Sequence, residues 1–293
     1  MKTTVRLIIL IPLLTFQCFS LLSQSDPVKV DLVSNGNKLD ALFYSTNHKD
    51  SPTLVLVHGF PGNNQSPLGL AEKLNAAGIK ILVFNYQGSF SSEGVFNNEN
   101  SIHDIVVAMD FLKQEKTVQQ FEIDTSNLVL CGYSFGSGSA LTAALYHPAI
   151  RKIISIGGYD YSVDIKKMKS DSGYRDTFEK RISGSFSPNG PIKMDLESFH
   201  LYNDSLILNV DYYDLVKNAE KLRDREIVFI AGWLDNTALI EENVLPLYRQ
   251  LKLLKSEKVD IKVFDTNHSF SNVKDDLIKV IVDWTKGILD LPQ

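Results

Sequence analysis

Apolar residues along this chain gather in short, nearly unbroken runs separated by longer stretches of helical spacing. TLVLV (Thr53 to Val57), KILVF (Lys80 to Phe84), NLVLC (Asn127 to Cys131), KIISI (Lys152 to Ile156), EIVFI (Glu226 to Ile230) and DIKVF (Asp260 to Phe264) offer almost no polar face. Strands of that kind are buried on both sides, as in a parallel sheet. Between them, PLGLAEKLNAAG (Pro67 to Gly78), Ser101 to Glu115, Leu245 to Leu254 and Asp275 to Leu289 set apolar side chains three and four apart. That period predicts helices packed by one face, the first capped by Gly78.

The start of the pattern is different. VKVDLV (Val28 to Val33) and KLDALFY (Lys38 to Tyr44) flank Ser34-Asn35-Gly36-Asn37, and Asn-Gly accepts the positive φ of a tight hairpin. The whole predicts an α/β fold: a mostly parallel sheet with an antiparallel N-terminal hairpin and helices on both faces. Residues from about 159 to 224 break the alternation and are too long for an ordinary loop. They predict a mainly helical insertion, a cap, just before the strand EIVFI. Tyr161, Tyr174, Phe178, Tyr202 and Tyr212 within it form either a binding wall or a small core of their own.

Composition narrows the function. A net charge of −5 and a pI near 5.7, with no basic stripe interleaved with aromatics, argue against nucleic acid as a partner. Lys2 and Arg6 precede LIILIPLLTF, with no acid before Asp26, the layout of an export signal. Cleavage is expected near Ser25, leaving residues 26–293 as one domain with no membrane span. The alternative is a retained N-terminal anchor, although Pro12 and Gln17 keep the run short of the roughly 20 residues a span needs. Of the two cysteines, Cys18 leaves with the signal and Cys131 has no partner for a disulfide.

The candidate chemistry sits in GYSFG, where Gly132, Ser134 and Gly136 follow an apolar strand and precede a helix that ends before Pro148. A strand–tight turn–helix exposes the serine and aims helix N–H groups at it. A serine hydroxyl needs a base, and the base needs an orienting group. His268, in DTNHSF, lies just past the last strand, whereas His48, His103, His147 and His200 have no such setting. Active sites of open α/β sheets gather at these strand ends. For the acid, Asp235 follows EIVFI in AGWLDNTA, and Asp160, in IGGYD after the preceding strand, is the alternative. Asp265 is expected only to cap its loop. VHGFPGNN, after the first long apolar strand, would supply the Phe60 backbone N–H, paired with that of Phe135, to an oxyanion.

HGFPG, FNYQGSFSSEG, GYSFG, GWLD and NHSF, in that order from Thr53 to Leu289, resemble the α/β-hydrolase superfamily. The nearest resemblance is to secreted serine hydrolases of the prolyl-oligopeptidase and dienelactone-hydrolase type. The resemblance implies Ser134 as nucleophile, Asp235 as acid, His268 as base, and no metal or organic cofactor. Gln87 and Phe90 depart from the family loop, which has arginine and glycine there. The expectation is an exported serine hydrolase that cleaves a small-molecule ester through an acyl-enzyme. A peptidase acting on short peptides and a non-catalytic binding scaffold are the other readings. Oligomeric state leaves no mark in the sequence.

Overall fold

The structure is a computed structural model that describes residues 26–47, 50–62 and 66–288. The expected export signal, His48, Asn63, Asn64 and Leu289 lie outside the described residues. Among the described residues ten strands form: β1 Val28–Lys29, β2 Leu32–Ser34, β3 Asn37–Leu39, β4 Ala41–Tyr44, β5 Thr53–Val57, β6 Lys80–Phe84, β7 Leu128–Tyr133, β8 Lys152–Ile156, β9 Glu226–Gly232 and β10 Val259–Phe264. Eight of them make one sheet in the order β1-β4-β6-β5-β7-β8-β9-β10. The sheet is parallel from β6 to β10, while β1 pairs with β4 and β4 with β6 antiparallel.

The hairpin forms, but each expected arm is two strands. β2 and β3 pair as a separate two-stranded sheet around Asn35 and Gly36, both at positive φ (50° and 79°). The outer halves, β1 and β4, turn away to join the main sheet. Helices α1 Leu70–Ala76, α2 Asn98–Phe111, α3 Glu115–Phe121, α4 Phe135–Tyr146, α10 Leu245–Leu253 and α11 Lys274–Thr285 cover both faces. Alternate strand residues explain the layering. Val55, Val57, Leu82 and Leu130 share a core with α2, α4 and α10; Leu54, Leu56, Ile81 and Val129 share one with α1 and α11. Both faces are buried, so the strands read as continuous apolar runs.

Between β8 and β9 run α5 Tyr161–Ser170, α6 Ser172–Ser183, α7 Leu196–Leu208 and the short α8 Val210–Tyr213; a further short helix, α9 Ile240–Asn243, follows β9. Asp160, Asp171 and Asp195 each accept a backbone N–H from the first turn of α5, α6 and α7. Such caps satisfy N–H groups that the first turn of a helix leaves unpaired. Phe186, Phe199, Leu206 and Tyr213 anchor this insertion in the larger core. No helix among the described residues is long and apolar enough to cross a membrane.

Candidate active site

The chain leaves β5 for β6 on one side and later enters β7 on the other, so the loops after β5 and β7 diverge there. Such a switch point opens a crevice at the strand C-termini. Ser134 stands in it, between β7 and α4, with φ 54° and ψ −121°. That positive φ is costly for a serine and persists only where packing enforces it. The enforcement is visible in two glycines. A Cβ on Gly132 would lie 2.2 Å from the Gly136 carbonyl oxygen, and one on Gly136 would lie 2.6 Å from those of Val57 and His58. The second contact draws the start of α4 against the end of β5, which brings the Phe60 loop beside Ser134.

His268 and Asp235 converge on the serine from β10 and β9. His268 Nε2 lies 2.9 Å from Ser134 Oγ, and His268 Nδ1 lies 2.6 Å from Asp235 Oδ2. Asp235 Oδ1 accepts the backbone N–H groups of Thr237 and Ala238, both at 2.9 Å. Burial pushes the Asp235 carboxyl upward, but the His268 hydrogen bond and charge, with those two N–H groups, outweigh it and hold it below the usual carboxylate range. Asp160, also buried, makes no hydrogen bond to His268 among the described residues; its carboxylate accepts the Ser162 N–H at 2.9 Å. Burial raises it to about 6. Asp265 contributes its backbone carbonyl, which accepts from Asn272 Nδ2 at 3.0 Å. The loop turn at His268 is capped instead by Asn267, whose Oδ1 accepts the Ser269 N–H.

The backbone N–H groups of Phe60 and Phe135 donate to no other described residue. His58, in the same loop, is buried and held neutral: burial lowers it to about 4, against a hydrogen bond between Nδ1 and the Gly59 carbonyl that raises it.

A cavity of about 290 Å³ opens on Ser134, walled by Phe60, Phe135, Tyr161, Met168 and Phe186 among others. Tyr161, Phe178 and Tyr202 line it; Tyr174 and Tyr212 do not. Tyr174 donates its hydroxyl to Asp164, and Tyr212 stacks on Tyr146 at 4.3 Å. The insertion's aromatics therefore divide between wall and core.

Several contacts at the site were not named from the sequence. The Tyr133 hydroxyl donates to the His268 carbonyl at 3.0 Å, and its ring lies 5.2 Å from the imidazole. Gly157 (φ 54°) leaves space for His268, whose Cε1 would lie 3.2 Å from an added Cβ. Tyr161 donates to the Phe135 carbonyl at 2.8 Å, pinning the start of α4. Tyr133 had a usable cue in its place beside Ser134, and Tyr161 stood among the insertion's aromatics as wall or core. Gln87, where the family loop has arginine, is buried; its Nε2 donates to Asp104 Oδ1 at 2.6 Å and to Ser34 Oγ at 3.2 Å. Burial raises the Asp104 carboxyl, with the Gln87 bonds opposing, and a neutral amide is its neighbour instead of a guanidinium. Phe90 takes φ 47° in the position where the family has glycine.

A doubly flanked parallel sheet with a serine at the β7–α4 turn and a histidine–aspartate pair beside it defines the class. The chain belongs to the α/β hydrolase fold family, which it matches over residues 52–271. It is 29% identical over 135 residues to the quorum-quenching protein AidA of Acinetobacter baumannii, covering 44% of this chain and 43% of AidA. The chain spans less than half the length of the curated relatives it matches. Among solved structures it is similar to the esterase Pf2001 of Pyrococcus furiosus, with TM-score 0.64, 15% identity and coverage of 91% and 92% of the two chains. It is also similar to the acylaminoacyl peptidase of Pyrococcus horikoshii, with TM-score 0.63, 17% identity and coverage of 94% of this chain and 44% of that one.

Proposed function

We propose that this protein is a hydrolase that cleaves carboxylic esters through an acyl-enzyme. One observation carries the reading: a continuous line of hydrogen-bonding partners from Asp235 through both nitrogens of His268 to Ser134 Oγ. In that line His268 Nε2 takes the Ser134 proton as Oγ attacks the ester carbonyl. The alcohol leaves with that proton, and His268 then activates water to release the acid. Asp235, with its carboxyl held ionised, keeps Nδ1 protonated and stabilises the imidazolium that forms. The N–H groups of Phe60 and Phe135 receive the oxyanion, where each donor is worth roughly 2.7 to 4 kcal/mol in the transition state. Similar folds occur in an esterase and in an acylaminoacyl peptidase, so the choice of ester over amide falls to the substrate panel.

The experiment is a panel of p-nitrophenyl esters and aminoacyl-nitroanilides with wild-type protein. Turnover of the esters alone is the expected result. Preference for the nitroanilides makes the protein a peptidase, and turnover of neither makes it a binding scaffold. Export is part of the proposal, on the strength of Lys2, Arg6 and the apolar run that follows. Mass spectrometry of the secreted protein should find a start near residue 26; Met1 retained in a membrane fraction contradicts it.

A further inference from the structure

The buried side chain of His58 makes one hydrogen bond, and the partner is its own neighbour. Nδ1 lies 2.8 Å from the Gly59 carbonyl oxygen, while Nε2 has no partner among the described residues. A carbonyl only accepts, so the proton of the neutral ring sits on Nδ1 and Nε2 is bare. A second proton, on Nε2, would have nothing to receive it, and burial lowers the group to about 4. At neutral pH the ring is therefore a fixed, uncharged donor.

What that donor fixes is the far side of a peptide. The Gly59 carbonyl and the Phe60 N–H belong to one planar, trans unit and point in opposite directions. Holding the carbonyl toward the imidazole holds the N–H away from it. The unit stands beside the nucleophile, since a Cβ on Gly59 would lie 3.1 Å from Ser134 Cβ. The imidazole is itself held in place. Tyr86 meets it edge-on with centroids 4.6 Å apart, and the Tyr86 hydroxyl donates to the His58 carbonyl at 3.3 Å. The same carbonyl borders Gly136, two residues past Ser134, where a Cβ would lie 2.6 Å away. The direction of the donor is thus tied to the turn that carries the serine.

We propose that His58 is a positioning residue: its Nδ1–H holds the Gly59 carbonyl and so aims the Phe60 N–H of the same peptide at the oxyanion formed on Ser134. The bond also polarises the amide, which makes that N–H a better donor. No proton passes between His58 and the substrate, which separates its part from that of His268. The proposal rests on the acyl-enzyme reading above, because the N–H has an oxyanion to receive only if Oγ attacks a carbonyl.

The test compares p-nitrophenyl hexanoate with its thiono analogue, in which a larger and weaker acceptor, sulfur, replaces the carbonyl oxygen. His58→Leu should lower kcat for the oxo ester by about a hundredfold with KM within about threefold, as when one oxyanion donor is lost. The thiono ester gains little from that donor and should slow far less, so the oxo-to-thiono ratio falls. His58→Asn, whose Nδ2 stands as many bonds from the backbone as Nδ1, should recover most of the ratio. A general packing defect slows both esters alike, and an unchanged ratio in His58→Leu overturns the proposal while ester turnover by wild type upholds the acyl-enzyme reading. Wild type that turns over neither ester fails that reading, and the proposal falls with it. One measurement needs no variant to fold: 15N NMR of the wild-type imidazole at neutral pH should find the proton on Nδ1, and a proton on Nε2 instead overturns the proposal.

Discussion

The loops after β8 and β9 each hold a buried aspartate at the same end of the sheet, and the two carboxyls have opposite surroundings. Asp235, 4% exposed, accepts from His268 and from two backbone N–H groups, and it is held ionised. Asp160, 3% exposed, accepts from Ser162 at the start of α5, and burial wins, raising it to about 6. Both side chains are shut off from solvent, but Asp160 sits deeper in the protein and Asp235 has the histidine and two N–H donors, so desolvation wins at the first and the donors at the second. A strand-end carboxylate becomes useful to a histidine where the loop aims N–H groups at it, and becomes a helix cap where it does not.

The sharpest way to break this comparison is to remove one charge at a time. Asp235→Asn should lower kcat by about four orders of magnitude, since the amide favours the wrong imidazole tautomer. Asp160→Asn should leave ester turnover within about threefold of wild type; an equal loss in both variants would erase the distinction. Next in size is the turn that carries the serine. Gly132→Ala places a methyl 2.2 Å from the Gly136 carbonyl oxygen, and urea denaturation should show a loss of more than about 3 kcal/mol.

A smaller effect sharpens the Asp160 side. Its folded-state pKa, about 6, lies above the ordinary 3.8, so between those values the native protein holds a proton that the unfolded chain releases. Stability from this group is therefore present at low pH and lost as pH rises through 6. Asp160→Asn, which keeps an N-cap oxygen, should gain about 2 kcal/mol over wild type between pH 4 and pH 7. A pH-independent difference would place the carboxyl in an ordinary environment. Smallest is Tyr174→Phe, which removes one of two phenol donors to Asp164 and should cost about 1 kcal/mol by the same denaturation.

What could be read from the sequence tracks how local each feature is. TLVLV, KILVF and KIISI became β5, β6 and β8 with the boundaries expected, because strands buried on both faces leave little ambiguity of length. The Asn35-Gly36 turn was legible for its φ requirement. The division of its arms between two sheets was not, since that depends on the partner β6, far away in sequence. Helix α3 was missed because EKTVQQF has only Val118 and Phe121 to mark an apolar face. Ser134, Asp235 and His268 could each be named from a strand end. Asp235 is already preferred to Asp160 from the sequence; what the sequence does not show is the different hydrogen-bond partners that the two loops give these carboxyls. Gly157, and the bond from Tyr161 to the Phe135 carbonyl, depend on contacts across the fold, which no local pattern encodes.

The central claim is that His268 and Asp235 activate Ser134, and a fluorophosphonate probe tests it most directly. Wild-type protein and Asp160→Asn should be labelled, Ser134→Ala and His268→Ala should not, and Asp235→Asn should react far more slowly. Folded wild-type protein that takes no label, or label that survives Ser134→Ala, would contradict it.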